Sequence, residues 1–284
     1  MFCFQVTSGL REQDVFGIVR KRLGMTAPAN IGASQISLGG HVSYLDYLLE
    51  ELVTANKILA REDVVDSFGH ISVRHPDNPN HFFMSRARAP DCVEKDDIME
   101  FTLEGELVGD DDRQPYLERF IHGAVFESRP DIQSVVHNHS PSVIPFGATG
   151  TIIKPIVHMA ASIGHQVPIW DSQTKFGDTN LLIANLDMGR DFARFMGLHR
   201  TALMRGHGSV VVGTNIRHAV HVSIYLELGA RLQMEAMRMG KVTYLTNGEV
   251  DKIIARTASY TINRAWENWC RRAGRTPQEE WVKE

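Results

Sequence analysis

Apolar side chains recur at Leu45, Leu48, Leu49, Leu52, Ile58 and Leu59, a three-and-four spacing that predicts an amphipathic helix from Leu45 to about Ala60. The pattern then shortens. HISVR (70–74), HFFM (81–84) and IMEF (98–101) read as strands, followed by a turn at Glu104-Gly105-Glu106. Pro115 predicts the first turn of a helix, PYLERFIHGAVFES, because proline is tolerated there, and Pro130 closes the stretch. IQSVVHNHS is rich in β-branched residues and predicts a strand ending in histidines. Gly147-Ala148-Thr149-Gly150 is too short for a phosphate loop and reads as a turn. A short helix, a strand at 166–169 and a helix from Leu186 to Met196, stopped by Gly197, come next. TALMRG-HG-SVVVG gives two strands around a Gly-His-Gly break. A long helix (215–239) follows, with Val220, Ile224, Leu228 and Leu232 at helical spacing, then a last helix over 249–273. Irregular alternation and many short strands predict a mixed α/β sandwich, not a barrel or a doubly wound nucleotide fold.

Residues 1–42 have weak periodicity and end in NIGASQISLGG, which predicts an arm or an extension docked on a partner subunit. Residues 43–245 form the expected catalytic domain, and 246–284 a helix and tail packed on it or on a neighbouring subunit. Composition adds exclusions. A chain of 284 residues, 43% hydrophobic and 23% charged, is that of an ordinary globular protein. A net charge of −4 gives no electrostatic reason to expect nucleic acid or an anionic membrane as partner. Cys3, Cys92 and Cys270 are scattered and odd in number, which predicts reduced thiols and a cytoplasmic location. No run approaches membrane-spanning length.

Thirteen histidines change the picture, because two of them form the cluster His137-Asn138-His139. Positions i and i+2 of a strand share a face, so both imidazoles suit one metal. His207 is the natural third ligand, since its glycine neighbours permit a close backbone approach. Three protein ligands with an open position mark a catalytic ion. Glu118 and His122, at i and i+4 of the predicted helix, share a face; Glu118 is a fourth ligand or a general acid/base, and His122 reads as structural. His41, His75, His81, His199, His218 and His221 read as surface or packing residues, and His158 and His165 are left unassigned.

The order Glu118-x3-His122, SRPD (128–131), VVHNHS (135–140) and MRGHGSVVVG (204–213) resembles the class II aldolase/adducin family over about residues 45–240. That resemblance implies a three-layer α/β/α sandwich with a central, mostly antiparallel sheet, and a homotetramer with its active site between subunits. It implies a divalent ion, manganese first and zinc second, held by His137, His139 and His207, with Glu118 as acid/base or extra ligand. The chain departs from the phosphosugar members, whose phosphate-holding segments here read Gly69-His70-Ile71-Ser72, Ser85-Arg86-Ala87-Arg88 and Tyr116-Leu117-Glu118. Small hydroxyl donors are lost and two arginines enter, which suits a flat, carboxylated small molecule. The pattern is similar to the decarboxylase branch. It points to a hydroxylated aromatic or pyridine dicarboxylate, with 3-hydroxy-2-methylpyridine-4,5-dicarboxylate of vitamin B6 degradation as the expected substrate. Arg86, with Ser85 and His70, would bind the retained carboxylate, and Tyr225 would reach a neighbouring subunit's site. An aldolase or epimerase acting on a sugar phosphate or keto acid is the alternative, and a non-catalytic scaffold like the adducin head the third reading.

Overall fold

The computed structural model describes residues 43–257 and 259–279; the expected arm (1–42), with Cys3 and His41, and residues 280–284 lie outside the described residues. Seven strands, β1 (His70–Arg74), β2 (His81–Ser85), β3 (Ile98–Thr102), β4 (Ser134–Asn138), β5 (Ile169–Trp170), β6 (Thr201–Met204) and β7 (Ser209–Gly213), form one sheet. Its order is β3-β2-β1-β4-β7-β6-β5, and β5 with β6 is the one parallel pairing among them. The sheet is therefore mostly antiparallel. Among the described residues eight α-helices accompany it: α1 (Tyr44–Arg61), α2 (Arg119–Ser128), α3 (Ile144–Thr149), α4 (Gln173–Phe176), α5 (Leu186–Met196), α6 (Ile216–Met239), α7 (Asn247–Arg256) and α8 (Ser259–Arg272).

Strand periodicity splits the core into two layers. Ile71, Val73, Phe83, Val136 and Val211 face one core with Leu52, Ile58, Val220 and Trp266 from α1, α6 and α8. Their neighbours Phe82, Met84, Val135, Val210 and Val212 face the other, with Ile121, Val125 and Phe192 from α2 and α5. Helices on both faces give three layers. Helix starts follow side-chain caps: Ser43, Asn185 and Asn215 accept the amides of Asp46, Met188 and His218 at 3.0, 3.0 and 2.7 Å. Tyr225, on α6, packs its ring against His221 and Trp269 at 4.7 and 6.2 Å. None of the described helices is long and apolar enough to cross a membrane.

Five expectations need correction. Gly147-Ala148-Thr149-Gly150, expected as a turn, instead ends helix α3, with Gly150 as its C-cap at φ 72°. The helix expected from Pro115 begins at Arg119. Its first residues are held extended instead, because Pro115 bridges Arg86 and the Ala87 amide donates to the Gln114 carbonyl at 2.8 Å. The single helix expected over 249–273 is two, α7 and α8; Thr257 leaves helical geometry (ψ 97°) and returns its hydroxyl to the Ile253 carbonyl at 3.0 Å. The strand expected at 166–169 narrows to Ile169–Trp170, with Val167 only bridged to Ile153. β4 stops at Asn138, so His139 lies just past the strand.

Candidate metal centre

β4 runs antiparallel between β1 and β7, with His70 opposite His137 and Asn138 opposite Ser209. Alternation turns His137 toward the α2 side of the sheet. Asn138 turns the other way and accepts the Ser209 hydroxyl at 2.8 Å, tying the end of β4 to the start of β7. The β6–β7 turn carries His207. Gly206 takes φ +69°, and a Cβ on Gly208 would sit 2.1 Å from the Asn138 carbonyl oxygen and 2.9 Å from His139 Cδ2. Only glycine lets this turn press against the end of β4, and that pressure brings His207 to His139.

Glu118 arrives differently from the expected shared face with His122. It caps α2, where the helix dipole favours a carboxylate. Its Oε1 accepts the Ile183 amide at 3.0 Å, and its Oε2 faces His137 Nε2 at 3.4 Å and His207 Nε2 at 3.5 Å. His137 Nε2 and His139 Nε2 are 3.0 Å apart. Donor atoms of Glu118, His137, His139 and His207 all lie within 4.8 Å of one another.

The donor set fits a divalent ion. Metal–nitrogen bonds of about 2.1 Å at tetrahedral or octahedral angles separate adjacent donors by roughly 3.0–3.4 Å, close to the 3.0 Å between His137 and His139 and the 3.4 and 3.5 Å from Glu118 to His137 and His207. His137 Nδ1 lies 3.1 Å from the Ser209 carbonyl, which can only accept, so the proton sits on Nδ1 and the Nε2 lone pair is free. Both ring nitrogens of His207 are buried without a hydrogen bond, a costly arrangement unless a ligand completes it. Burial and His137 lower both His139 and His207 to about 4, which leaves them neutral and able to ligate at pH 7. Burial raises the Glu118 carboxyl, but the imidazoles of His137 and His207 and the Ile183 amide outweigh it and hold the group at about 2.

Beside this cluster lies a buried chain. The Ser72 hydroxyl meets His122 Nδ1 at 2.6 Å, and His122 Nε2 meets His70 Nδ1 at 2.7 Å. Ser72 is fully buried, and its hydroxyl has no other partner among the described residues, so donation to His122 leaves no buried proton unpaired. His122 then donates to His70, and His70 carries its own proton on Nε2, a donor. Its ring lies 5.1 Å from that of His137 and 4.4 Å from that of Tyr116. His122, read from sequence as merely structural, therefore sets the tautomer of His70. The period-two pair His70 and Ser72 on one strand was the available signal.

Burial lowers His122 to about 3 and His70 well below the ordinary imidazole value, with neighbouring imidazoles adding to both. Both are neutral when folded, whereas unfolded histidine titrates near about 6.5. Stability is therefore complete above about pH 6.5 and falls as pH drops toward those folded values, because the unfolded chain takes up the extra protons. His122 alone should remove about 2 kcal/mol between pH 7 and pH 5. Urea midpoints at the two pH values check this, and equal midpoints would contradict it.

The other expected site residues are placed as follows. Arg86 Nε and Arg88 grip the buried Asp97 at 2.7 and 2.6 Å, so neither arginine simply faces solvent. The terminal nitrogens of Arg86 make no hydrogen bond to a described residue. Ser85 is fully buried beside the Tyr116 phenol, which donates to the Arg88 carbonyl. Tyr225 is not part of the four-residue cluster and instead lines a cavity with Glu62, Asp63, Glu227 and Arg231.

Residues 50–234 match the model of the class II aldolase and adducin N-terminal domain. The decarboxylase tropJ of Talaromyces stipitatus is 33% identical over 237 residues, 75% of this chain and 89% of that protein. The 3,4-dihydroxyphthalate decarboxylase of Arthrobacter keyseri is 26% identical, covering 77% of this chain and 91% of its own. Among solved structures, the L-fuculose 1-phosphate aldolase from Glaciozyma antarctica PI12 superposes with a TM-score of 0.65 at 22% identity, over 82% of this chain and 92% of that one.

Proposed function

This chain belongs to the class II aldolase and adducin family, and from that premise we propose that it is a divalent-metal-dependent decarboxylase of hydroxylated aromatic or pyridine dicarboxylates. The observation that carries the reading is the convergence of Glu118 Oε2 and the nitrogens of His137, His139 and His207 on one another. His137, His139 and His207 hold the ion, and Glu118 is the fourth partner. Bound there, a divalent cation supplies Lewis-acid stabilisation of negative charge on a substrate oxygen. Manganese is the proposed ion and zinc the second choice, since imidazoles with a carboxylate suit both.

The chain's own groups do the rest. The His70 Nε2–H, fixed by His122 and Ser72, and the terminal nitrogens of Arg86 hold the carboxylate that is retained. Asp97 keeps the Arg86 guanidinium from collapsing elsewhere. Tyr116 and Leu117 replace small hydroxyl donors and favour a flat ring. Glu118, a carboxylate at neutral pH, is a ligand first; the proton that replaces the lost carboxylate on the ring carbon comes from solvent water, and Glu118 carries it only after accepting it from that water. Tyr225 is proposed to act on a neighbouring subunit's site in a tetramer. The decarboxylase tropJ supports the reaction class, and the 3,4-dihydroxyphthalate decarboxylase supports a hydroxylated aromatic acid; 3-hydroxy-2-methylpyridine-4,5-dicarboxylate is the proposed pyridine member of that class.

Carbon dioxide release from a panel of hydroxy-aromatic and hydroxypyridine dicarboxylates tests the reaction. Turnover of at least one supports it; silence across the panel together with cleavage of a phosphosugar would replace it with an aldolase. Arg86→Ala should raise KM about 10- to 100-fold with kcat little changed, as expected for one charge-assisted carboxylate contact. An unchanged KM removes Arg86 from substrate binding.

A further inference from the structure

His207 precedes β7 and Thr214 follows it, so the far end of this five-residue strand lies roughly 16 Å from the metal cluster at about 3.3 Å per residue. A second cavity of about 300 Å³ opens there, at the N-terminus of the 24-residue α6. Among the described residues it is lined by Arg200, Arg217, His218 and His221 and by no carboxylate. Arg217 is satisfied elsewhere, donating to Glu51 at 2.6 Å and to Asn263 at 3.0 Å. Arg200 is not. Its guanidinium reaches only the Ser162 carbonyl, at 3.3 Å, and pairs with no carboxylate of a described residue.

The histidines add donors. The Thr214 amide, which can only donate, points at His218 Nδ1 at 3.2 Å, so the His218 proton sits on Nε2. His221 is 98% buried at 2% exposure, and its Nδ1 has no hydrogen-bond partner. An uncharged cavity wall would not collect one unpaired guanidinium, two imidazoles and the positive end of a long helix. Helix N-termini present amides and a favourable dipole to anions, and an anion would engage the Arg200 guanidinium, the His218 donor and the helix end together.

We propose that this cavity is a second ligand site, separate from the metal cluster, that takes a tetrahedral oxyanion: inorganic phosphate or the phosphate group of a small metabolite. Arg200 supplies the charge and His218 Nε2–H a directed donor, and His221 lines the wall with a ring nitrogen that no described residue satisfies. Asn215 accepts the His218 amide at 2.7 Å and itself lines the cavity. Ile254 of α7 and Ile262 of α8 close the cavity, so an anion bound there ties the C-terminal helices to the end of the sheet.

Titration calorimetry of the full chain with inorganic phosphate, against chloride of equal ionic strength, tests the site. Saturable binding is expected, with a rise in Tm of about 3 °C at tenfold excess over Kd. Arg200→Gln should weaken it at least about tenfold while leaving kcat of the metal site unchanged. His221→Phe, which keeps the packing on Tyr225 and Trp269, should weaken it similarly and serves if the arginine variant does not fold. Absence of saturable binding to the unmodified chain would overturn the proposal. So would phosphate affinity that survives both variants, or that disappears in His207→Ala, which would place the anion at the metal. A metabolite phosphate that binds more tightly than inorganic phosphate, with the same two variants weakening it, would identify the ester as the source.

Discussion

Replacing His207 with alanine should lower kcat/KM by at least about 10³-fold, the loss of roughly 4 kcal/mol of transition-state stabilisation, and should remove the bound metal. The fold should survive. The buried group that His207 faces is Glu118, whose Oε2 lies 3.5 Å away, and Glu118 keeps the Ile183 amide when the ring is removed. His137 is a poorer choice for this test, because its Nδ1–H is paired with the Ser209 carbonyl and alanine would leave that acceptor exposed to an emptied core. Circular dichroism and urea unfolding should report a folded His207→Ala chain, while elemental analysis and rate measurements report the loss. An active variant, or an inactive one that keeps its metal, would contradict the ligand assignment.

Gly208→Ala should be the most damaging conservative change near the site, destabilising by about 3 kcal/mol and lowering metal content with it. The new Cβ would meet the Asn138 carbonyl oxygen at 2.1 Å, backbone against backbone, and neither can retreat without breaking the β4–β7 pairing. The turn would have to swing His207 away from His139. Gly147→Ala provides the contrast. Its Cβ would find its nearest neighbour, the Met204 carbonyl oxygen, at 3.5 Å, and it stands in helix α3, where alanine is the better former. Urea midpoints and metal content of the two variants should diverge; equal behaviour would show that the close approach of the turn does not position the ligand.

Much of this was legible in the sequence, for reasons that can be stated. The strands around Gly-His-Gly, the helix from Leu186 to Met196 and the long α6 emerge at the expected places because each has strong periodicity and a firm stop. The pairing of His137 with His139 follows from strand alternation, although the strand itself ends at Asn138. The position of Glu118 was legible only as a residue type: tertiary pairing of Pro115 with Arg86 overrode the proline helix-start signal and made Glu118 a cap. What the pattern could not supply were contacts between distant segments. The Ile183 amide on Glu118, the Asn138–Ser209 tie and the Ser72–His122–His70 chain join residues far apart in the chain, and no local spacing encodes them. The Asp97 clamp on Arg86 and Arg88 is of the same kind.

The most direct test of the account is metal content measured alongside carbon dioxide release, on protein as purified and after dialysis against a chelator. About one divalent ion per chain is expected, with release that ends when the ion is withdrawn and returns when manganese or zinc is restored. A metal-free protein that releases carbon dioxide at an undiminished rate in the presence of the chelator would contradict it.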